Sequence, residues 1–433
     1  MREDWIEAKI GEILLIERGG SPRPIKEFIT KQPSGINWIK IGDTLKGSKY
    51  ITSTEEKIKV EGLKKTRIVE PGDFVLSNSM SFGRPFIMGI KGAIHDGWLA
   101  LRNPNSIFDT DFLYYSLSSP NVYSQFDKLA TGSTVRNLNS ELVAKVIVSI
   151  PPFPEQRAIA KKLESLFSSL DAGVADLKKA QQQLKIYRQA VLKKAFEGEL
   201  TNNKKVEYVH LGELCDGVEY GTSAKSNEKG EIPVLRMGNI QNGLFDWKNL
   251  VYTDDKSEID KYLLEKYDVL FNRTNSAELV GKTAIYKGER PAIFAGYLIR
   301  INYKKDVLDP FYLCYYLNSH EAKNYGSSVK SFGVNQSNIN GTKLKAYPIP
   351  FTPFEEQKKI VKQIESRLSV CDSIEQNIKE SLVKAEALRQ SILKIAFKGN
   401  LLTVQELAEC KLAEDYEPAS VLLERIKKEN KKK

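Results

Sequence analysis

Gln156 to Gly198 reads QRAIAKKLESLFSSLDAGVADLKKAQQQLKIYRQAVLKKAFEG. Leu163, Leu170, Leu177, Leu184 and Val191 recur every seven residues, with Leu166, Gly173, Ala180 and Tyr187 between them. A seam with that period marks a long helix that packs against another helix. Pro154 suits the opening turn, where a missing N–H costs nothing, and Gly198 suits a left-handed residue at the close. The segment occurs twice. Gln357 to Gly399 (QKKIVKQIESRLSVCDSIEQNIKESLVKAEALRQSILKIAFKG) aligns with it without a gap at an offset of 201, and 15 of 43 positions are identical. Its seam runs Ile364, Cys371, Ile378, Ala385 and Ile392, with Arg367, Ile374, Ser381, Leu388 and Ile395 between.

The stretches before the two helices also repeat. Leu211-Gly212-Glu213 answers Ile10-Gly11-Glu12, and Asp268-Val269-Leu270-Phe271 answers Asp73-Phe74-Val75-Leu76. Gly296-Tyr297-Leu298 answers Gly97-Trp98-Leu99. Short apolar runs broken by Gly, Pro, Asn and Ser predict a mixed α+β domain in each half, with strands at Trp38–Ile41, Asp73–Leu76 and Gly97–Leu101. A helix is expected from Asp109 to about Phe126, and another from Asp309. The expected organisation is a globular domain over 1–150, a spacer helix over 151–200, a second domain over 201–349, a second spacer helix over 350–401 and a tail over 402–433.

A helix with one apolar stripe needs a partner, and the chain supplies one. The expected arrangement is an antiparallel coiled coil, which turns a direct repeat into a pseudo-two-fold one. Each helix would span roughly 65 Å at about 1.5 Å per residue. Such a rod can hold two heads whole turns of duplex apart, at about 34 Å per turn.

The 433 residues fit two or three domains, and the balance is basic, with 65 Lys+Arg against 55 Asp+Glu. That surplus favours a polyanionic partner. Four cysteines lie far apart (Cys215, Cys314, Cys371, Cys410), which favours reduced thiols and a cytoplasmic setting.

The most specific pieces are IPPFPEQRAIAKKLE at Ile150–Glu164 with RQAVLKKAFEGEL at Arg188–Leu200. Their counterparts are FTPFEEQKKIVKQIE at Phe351–Glu365 and RQSILKIAFKGNL at Arg389–Leu401. With the tail segment EPASVLLERIKKE at Glu417–Glu429, they resemble the specificity (S) subunit of type I restriction–modification systems over nearly the whole chain. The resemblance implies two target-recognition domains, each reading one half of a split double-stranded DNA site, and helices that set the spacing. It implies a chain that is not itself catalytic and holds no cofactor. Two methyltransferase (M) subunits would bind S-adenosylmethionine, restriction (R) subunits would use ATP and Mg, and one S copy would serve each complex.

Contacts to DNA are expected from two loop types present in both halves, because Arg reads guanine, Asn or Gln reads adenine and Lys neutralises phosphate. After the Asp73 and Asp268 strands the candidates are Asn78, Ser81 and Arg84, and Asn272, Arg273, Asn275 and Lys282. Before the long helices they are Ser133, Thr134, Arg136 and Asn137, and Asn335, Gln336 and Asn338. Lys40, Arg236 and Asn239 at strand ends and Lys225 in a loop complete the set. At the helix ends, Ile159, Ala160 and Phe196, with their matches Ile360, Val361 and Phe397, either meet the M subunits or pack on the recognition domains.

Catalytic motifs fail on inspection. Asp309-Pro310-Phe311-Tyr312 lacks the second Pro of an amino-methyltransferase box and suits a helix start instead. No GxGxxG occurs, and the three histidines are scattered. A coiled-coil scaffold whose basic heads bind another polyanion is the competing reading.

Overall fold

The computed structural model describes residues 2, 4–45, 47–78, 82–104, 106–130, 137–201, 206–333 and 336–430. By internal contacts the chain forms two compact units, Met1–Asp176 with Ser381–Lys433, and Leu177–Glu380. Each unit holds one globular domain, part of one long helix and part of the other. The helices span Phe153–Phe196 and Phe354–Ala396. Gly198 and Gly399 follow them at φ of 78° and 79°, where an L side chain would clash with its own backbone. No described helix is long and apolar enough to cross a membrane.

The leucine row of the seam is where the period places it, but the intervening row lies one residue further on. Phe167, Val174 and Ala195 turn inward, whereas Leu166, Gly173 and Tyr187 are exposed. In the second helix Val361 and Ala396 are buried and Leu368 is half-buried, whereas Ile374, Leu388 and Ile395 are exposed. Ala180, Arg367 and Ser381 of the expected row stay half-buried, so the shift is partial in both helices. Both rows keep alternating steps of three and four from the leucines, so period alone allows either. The packing chooses the row that carries Phe167 and the two stacked or paired arginines, Arg188 and Arg389.

In the first unit Ile159, Ala160, Leu163 and Phe167 share a core with Leu393 and Ala396. There Lys162 bonds Glu406 at 2.7 Å, and Arg389 pairs with Asp171 while lying 4.4 Å over the Phe167 ring. In the second unit Leu192, Ala195 and Phe196 share a core with Ile360, Val361 and Ile364. Arg188 bonds Asp372 at 2.6 Å and Glu375 at 2.9 Å. The pairs Arg188–Asp372 and Arg389–Asp171 occupy positions matched at the 201-residue offset.

Each helix is fastened to its own domain by one glutamine that is fully buried. Gln156 accepts the Asp109 N–H through Oε1 at 2.8 Å and donates from Nε2 to the Ile107 and Pro151 carbonyls, both at 3.0 Å. Gln357 does the same with the Asp309 N–H at 2.8 Å and the Val307 and Thr352 carbonyls at 2.9 Å. The Glu-Gln pair of the repeated motif thus has a structural cause in its glutamine.

In the first domain one sheet runs, in spatial order, Leu15–Arg18, Trp98–Arg102, Phe74–Ser77, Pro85–Met88 and Tyr50–Ile51. A second runs Ile29–Thr30, Glu56–Ile58, Ile36–Ile39, Gly92–Ile94 and Arg67–Val69. The second domain keeps the plan with fewer strands in these two sheets. Its larger sheet is Cys215–Tyr220, Leu298–Tyr303, Val269–Asn272 and Thr283–Ile285, and its smaller one is Val251–Thr253, Ile232–Leu235 and Ile293–Phe294. Ile6–Lys9 with Ile147–Ile150, and Glu207–His210 with Pro348–Phe351, pair antiparallel at the foot of each helix. The helix expected from Asp109 to Phe126 is two helices, Thr110–Leu117 and Pro120–Leu129. Ser119 caps the second through the Val122 N–H, and Pro120 cannot continue the first. A break at the matched place divides Pro310–Leu317 from His320–Val329, where the serine cap recurs without the proline: Ser319 accepts the Ala322 N–H.

The tail helix Val404–Lys411 opens with a capping box between Thr403 and Glu406. Leu402, Cys410 and Leu422 join the core that holds Trp5.

Replacing Gln156 with Ala orphans one buried N–H and two carbonyls, and should cost the first unit about 1–3 kcal/mol in urea unfolding. Gln357→Ala should do the same to the second unit. The Lys162 hydrogen bond, with the Thr403 N–H, holds the Glu406 carboxyl down at about 2, against an ordinary 4.5. A depressed carboxylate stabilises above its unfolded value and loses that contribution as pH falls. Protection of residues 404–411 in hydrogen exchange should therefore be full above about pH 4.5 and decline toward pH 2.

Candidate nucleic-acid interface

The two polar loop types meet in both domains. In the second, Thr274–Asn275, Ser337–Asn338 and Ser331–Phe332 form a three-stranded ribbon with Ser337–Asn338 in the centre. Thr274 faces Asn338, whose Nδ2 donates to Thr274 Oγ1 at 2.7 Å, and Phe332 faces Ser337. Below the ribbon the Ile339 N–H donates to the Arg273 carbonyl at 2.9 Å. In the first domain the Leu138 N–H donates to the Asn78 carbonyl at 2.8 Å, so the same closure joins the matched loops.

The ribbon carries few aliphatic groups and a cationic rim. Gln336 is exposed, and the Phe332 ring is 74% exposed with Lys330 Nζ 5.5 Å from its centroid. Lys343 Nζ donates to Ser331 Oγ at 2.6 Å. Neither lysine has a carboxylate partner among the described residues. Arg273 lies beneath. Its guanidinium sits 4.8 Å over the Tyr220 ring, and Nη1 reaches the Gly296 carbonyl at 3.3 Å. The Tyr220 hydroxyl accepts the Gly341 N–H at 2.7 Å, which fixes the stacking platform. Such a surface can hydrogen-bond base edges, neutralise phosphate and stack on a base.

The candidates divide on burial. Arg84, Lys225 and Gln336 are exposed, while Asn137, Arg273, Asn275 and Asn338 are half-buried within the converging loops. Asn78, Asn239 and Asn272 are corrected, because all three are buried and turned inward. Asn78 donates to the Asp96 carbonyl, and Asn239 to the Asp246 and Lys248 carbonyls while accepting the Arg236 N–H. Asn272 accepts the Thr274 N–H. An asparagine that shapes a turn and one that reads adenine use the same amide, and only the fold separates them. Lys40 pairs with Glu56 at 3.2 Å, and Arg236 donates to the Asn249 carbonyl at 3.0 Å. Lys282 is half-buried and lines a cleft beside the long helices. Ser81, Ser133, Thr134, Arg136 and Asn335 lie outside the described residues.

The helix-end residues are corrected as an outward docking face. Ile159, Ala160, Phe196, Ile360 and Val361 are buried in the cores of their own units, and half-buried Phe397 meets Phe112 at 5.4 Å. They pack on the recognition domains, which was the other expectation. Sequence reading missed Tyr220, Lys330, Phe332 and Lys343. Phe332 carried a usable signal, a large apolar residue inside a polar loop.

Burial lowers the His95 pKa more than Asp96 raises it, and the ring accepts the Ile41 N–H at 3.1 Å. Among the described residues no group of three or more His, Cys, Asp or Glu could hold a metal ion.

The family model for the type I restriction modification DNA specificity domain matches residues 2–180 and again 203–384. The EcoKI specificity subunit of Escherichia coli K12, a type I restriction enzyme subunit, is 26% identical over 99% of this chain and 96% of its own length. A chain from a structural study of type I R-M complex assembly and conformational transition superposes with a TM-score of 0.75 at 19% identity, covering 93% of this chain and 99% of that one. The HsdS subunit from Thermoanaerobacter tengcongensis gives 0.56 at 18% identity, over 93% and 98%. These two likenesses concern the fold. With its domain matched twice over most of its length, the chain belongs to the type I restriction modification DNA specificity family.

Proposed function

We propose that this chain is the non-catalytic DNA-reading subunit of a type I restriction–modification complex. The observation that carries it is the doubling of the polar loop pair. Each unit holds one family domain in which the loop after the Asp73 or Asp268 strand is tied to the loop before the long helix. The side chains on those loops differ between halves, so each domain reads its own half of a bipartite, asymmetric site.

The spacer reading rests on the helices. Ion pairs at matched positions, Arg188–Asp372 and Arg389–Asp171, support an antiparallel coiled coil of fixed length. Two methyltransferase subunits, carrying S-adenosylmethionine, would act at the bases so selected. Restriction subunits, using ATP and Mg, would join that core around one copy of this chain, in the cytoplasm. The working boundaries are recognition domains over 1–150 and 201–349, spacer helices over 151–200 and 350–401, and a tail over 402–433.

Replacing residues 1–150 with the matching part of another family member should change one half of the methylated motif and leave the other half intact, as read by methylome mapping. A change in both halves, or a continuous motif, would overturn the two-reader model. In the second domain, the double variant Lys330→Ala, Lys343→Ala should weaken DNA binding across sequences and lower the log–log salt slope by about 1–2. Phe332→Ala should leave that slope unchanged while costing about 1–3 kcal/mol of binding, the worth of a stacked base.

A further inference from the structure

The two halves differ at one matched place, and the difference opens a cleft. In the first unit Lys49 is a plug between domain and helix. Its carbonyl accepts the Ile87 N–H at 2.8 Å. Its ammonium donates to Asp111 at 2.7 Å and to Glu164 at 3.2 Å, and lies 5.8 Å from the Tyr115 ring centroid. Tyr115 in turn meets Phe167 at 5.6 Å. Burial opposes the Lys49 charge, yet the bonds to Asp111 and Glu164 hold the group above the ordinary lysine value.

The second unit repeats this frame without the plug. Ile285 occupies the place of Ile87, and its N–H donates at 3.3 Å to the carbonyl of Gly243, so Gly243 stands where Lys49 stands. Glu365 matches Glu164, Tyr315 matches Tyr115, Leu368 replaces Phe167 and Phe311 replaces Asp111. The lost lysine and the smaller Leu368 leave a cleft of about 940 Å³. Glu365 lines it and has no ion pair or hydrogen bond among the described residues.

The cleft is two-signed. Glu365, Asp372 and Glu375 are on the helix side, with the last two held by Arg188. Lys282, Lys287 and Lys323 line the domain side, and none has a carboxylate partner among the described residues. DNA, all anion, would meet repulsion at the carboxylates. A polypeptide can bring a cation to Glu365 and carboxylates to the lysines.

We propose that this cleft docks a segment of the methyltransferase subunit, whose Lys or Arg side chain reaches Glu365 and Tyr315 in the place that Lys49 fills in the first unit. The proposal rests on the partner reading given above. It makes the two docking surfaces unequal, because Lys49 already closes the matched place in the first unit.

The test titrates the methyltransferase subunit of the same system onto the full chain, following stoichiometry by native mass spectrometry and affinity by calorimetry. Glu365→Gln removes the charge from an exposed side chain, and thermal unfolding verifies that the fold is kept. Leu368→Phe restores the aromatic ring of the first unit and narrows the cleft. Each variant should weaken one of the two binding steps by about tenfold or more and leave the other step unchanged. Wild-type affinity for both copies in both variants would overturn the cleft assignment alone. A wild-type chain that binds no methyltransferase subunit would overturn the partner reading and this proposal with it.

Discussion

A helix of more than forty residues can set a distance only if its root cannot swivel, and in this chain a buried amide prevents that. Gln156 and Gln357 each close three hydrogen bonds with the backbone beside a capping aspartate. A buried amide with its acceptor and both donors engaged has one orientation available, because any rotation leaves polar groups without partners in the core. The helix direction is therefore fixed relative to the loop before Asp109 or Asp309, and that loop opens the helix pair behind each recognition surface. Helix direction and domain are thus coupled through a single side chain in each unit.

The recognition surface follows a different logic. Rigidity comes from buried residues and chemistry from those above them. Asn78, Asn239 and Asn272 hold turns, and the ribbon carries its polar edge and Phe332 outward. Variation on the outer residues leaves the scaffold's own hydrogen bonds intact. This lets two domains of one plan differ in what they present.

The repeat, the long helices and the α+β class were legible in the sequence because each rests on periodicity or on a constant offset. The inward row of the seam was not, since Leu166 and Phe167 satisfy the same alternation of steps and only packing decides between them. The ribbon joins residues 274–275 to 337–338, a long-range pairing that no local pattern encodes. Burial of the asparagines was hidden because reading a base and bonding a carbonyl demand the same group. The correspondence of Lys49 with Gly243 was hidden for another reason. The loops before them differ in length, and the 201-residue offset fails there.

The first unit draws its helix core from segments made far apart in time. Leu163 and Phe167 are covered by Leu393 and Ala396, more than two hundred residues later. At about 5–20 residues per second, their apolar faces wait roughly 11–46 s for cover during synthesis. The second unit is a continuous segment, Leu177–Glu380, and can close as soon as it is made. The first reader to emerge from the ribosome is thus the last to be completed, and the interval is when nascent chains are most exposed to mispairing through that seam.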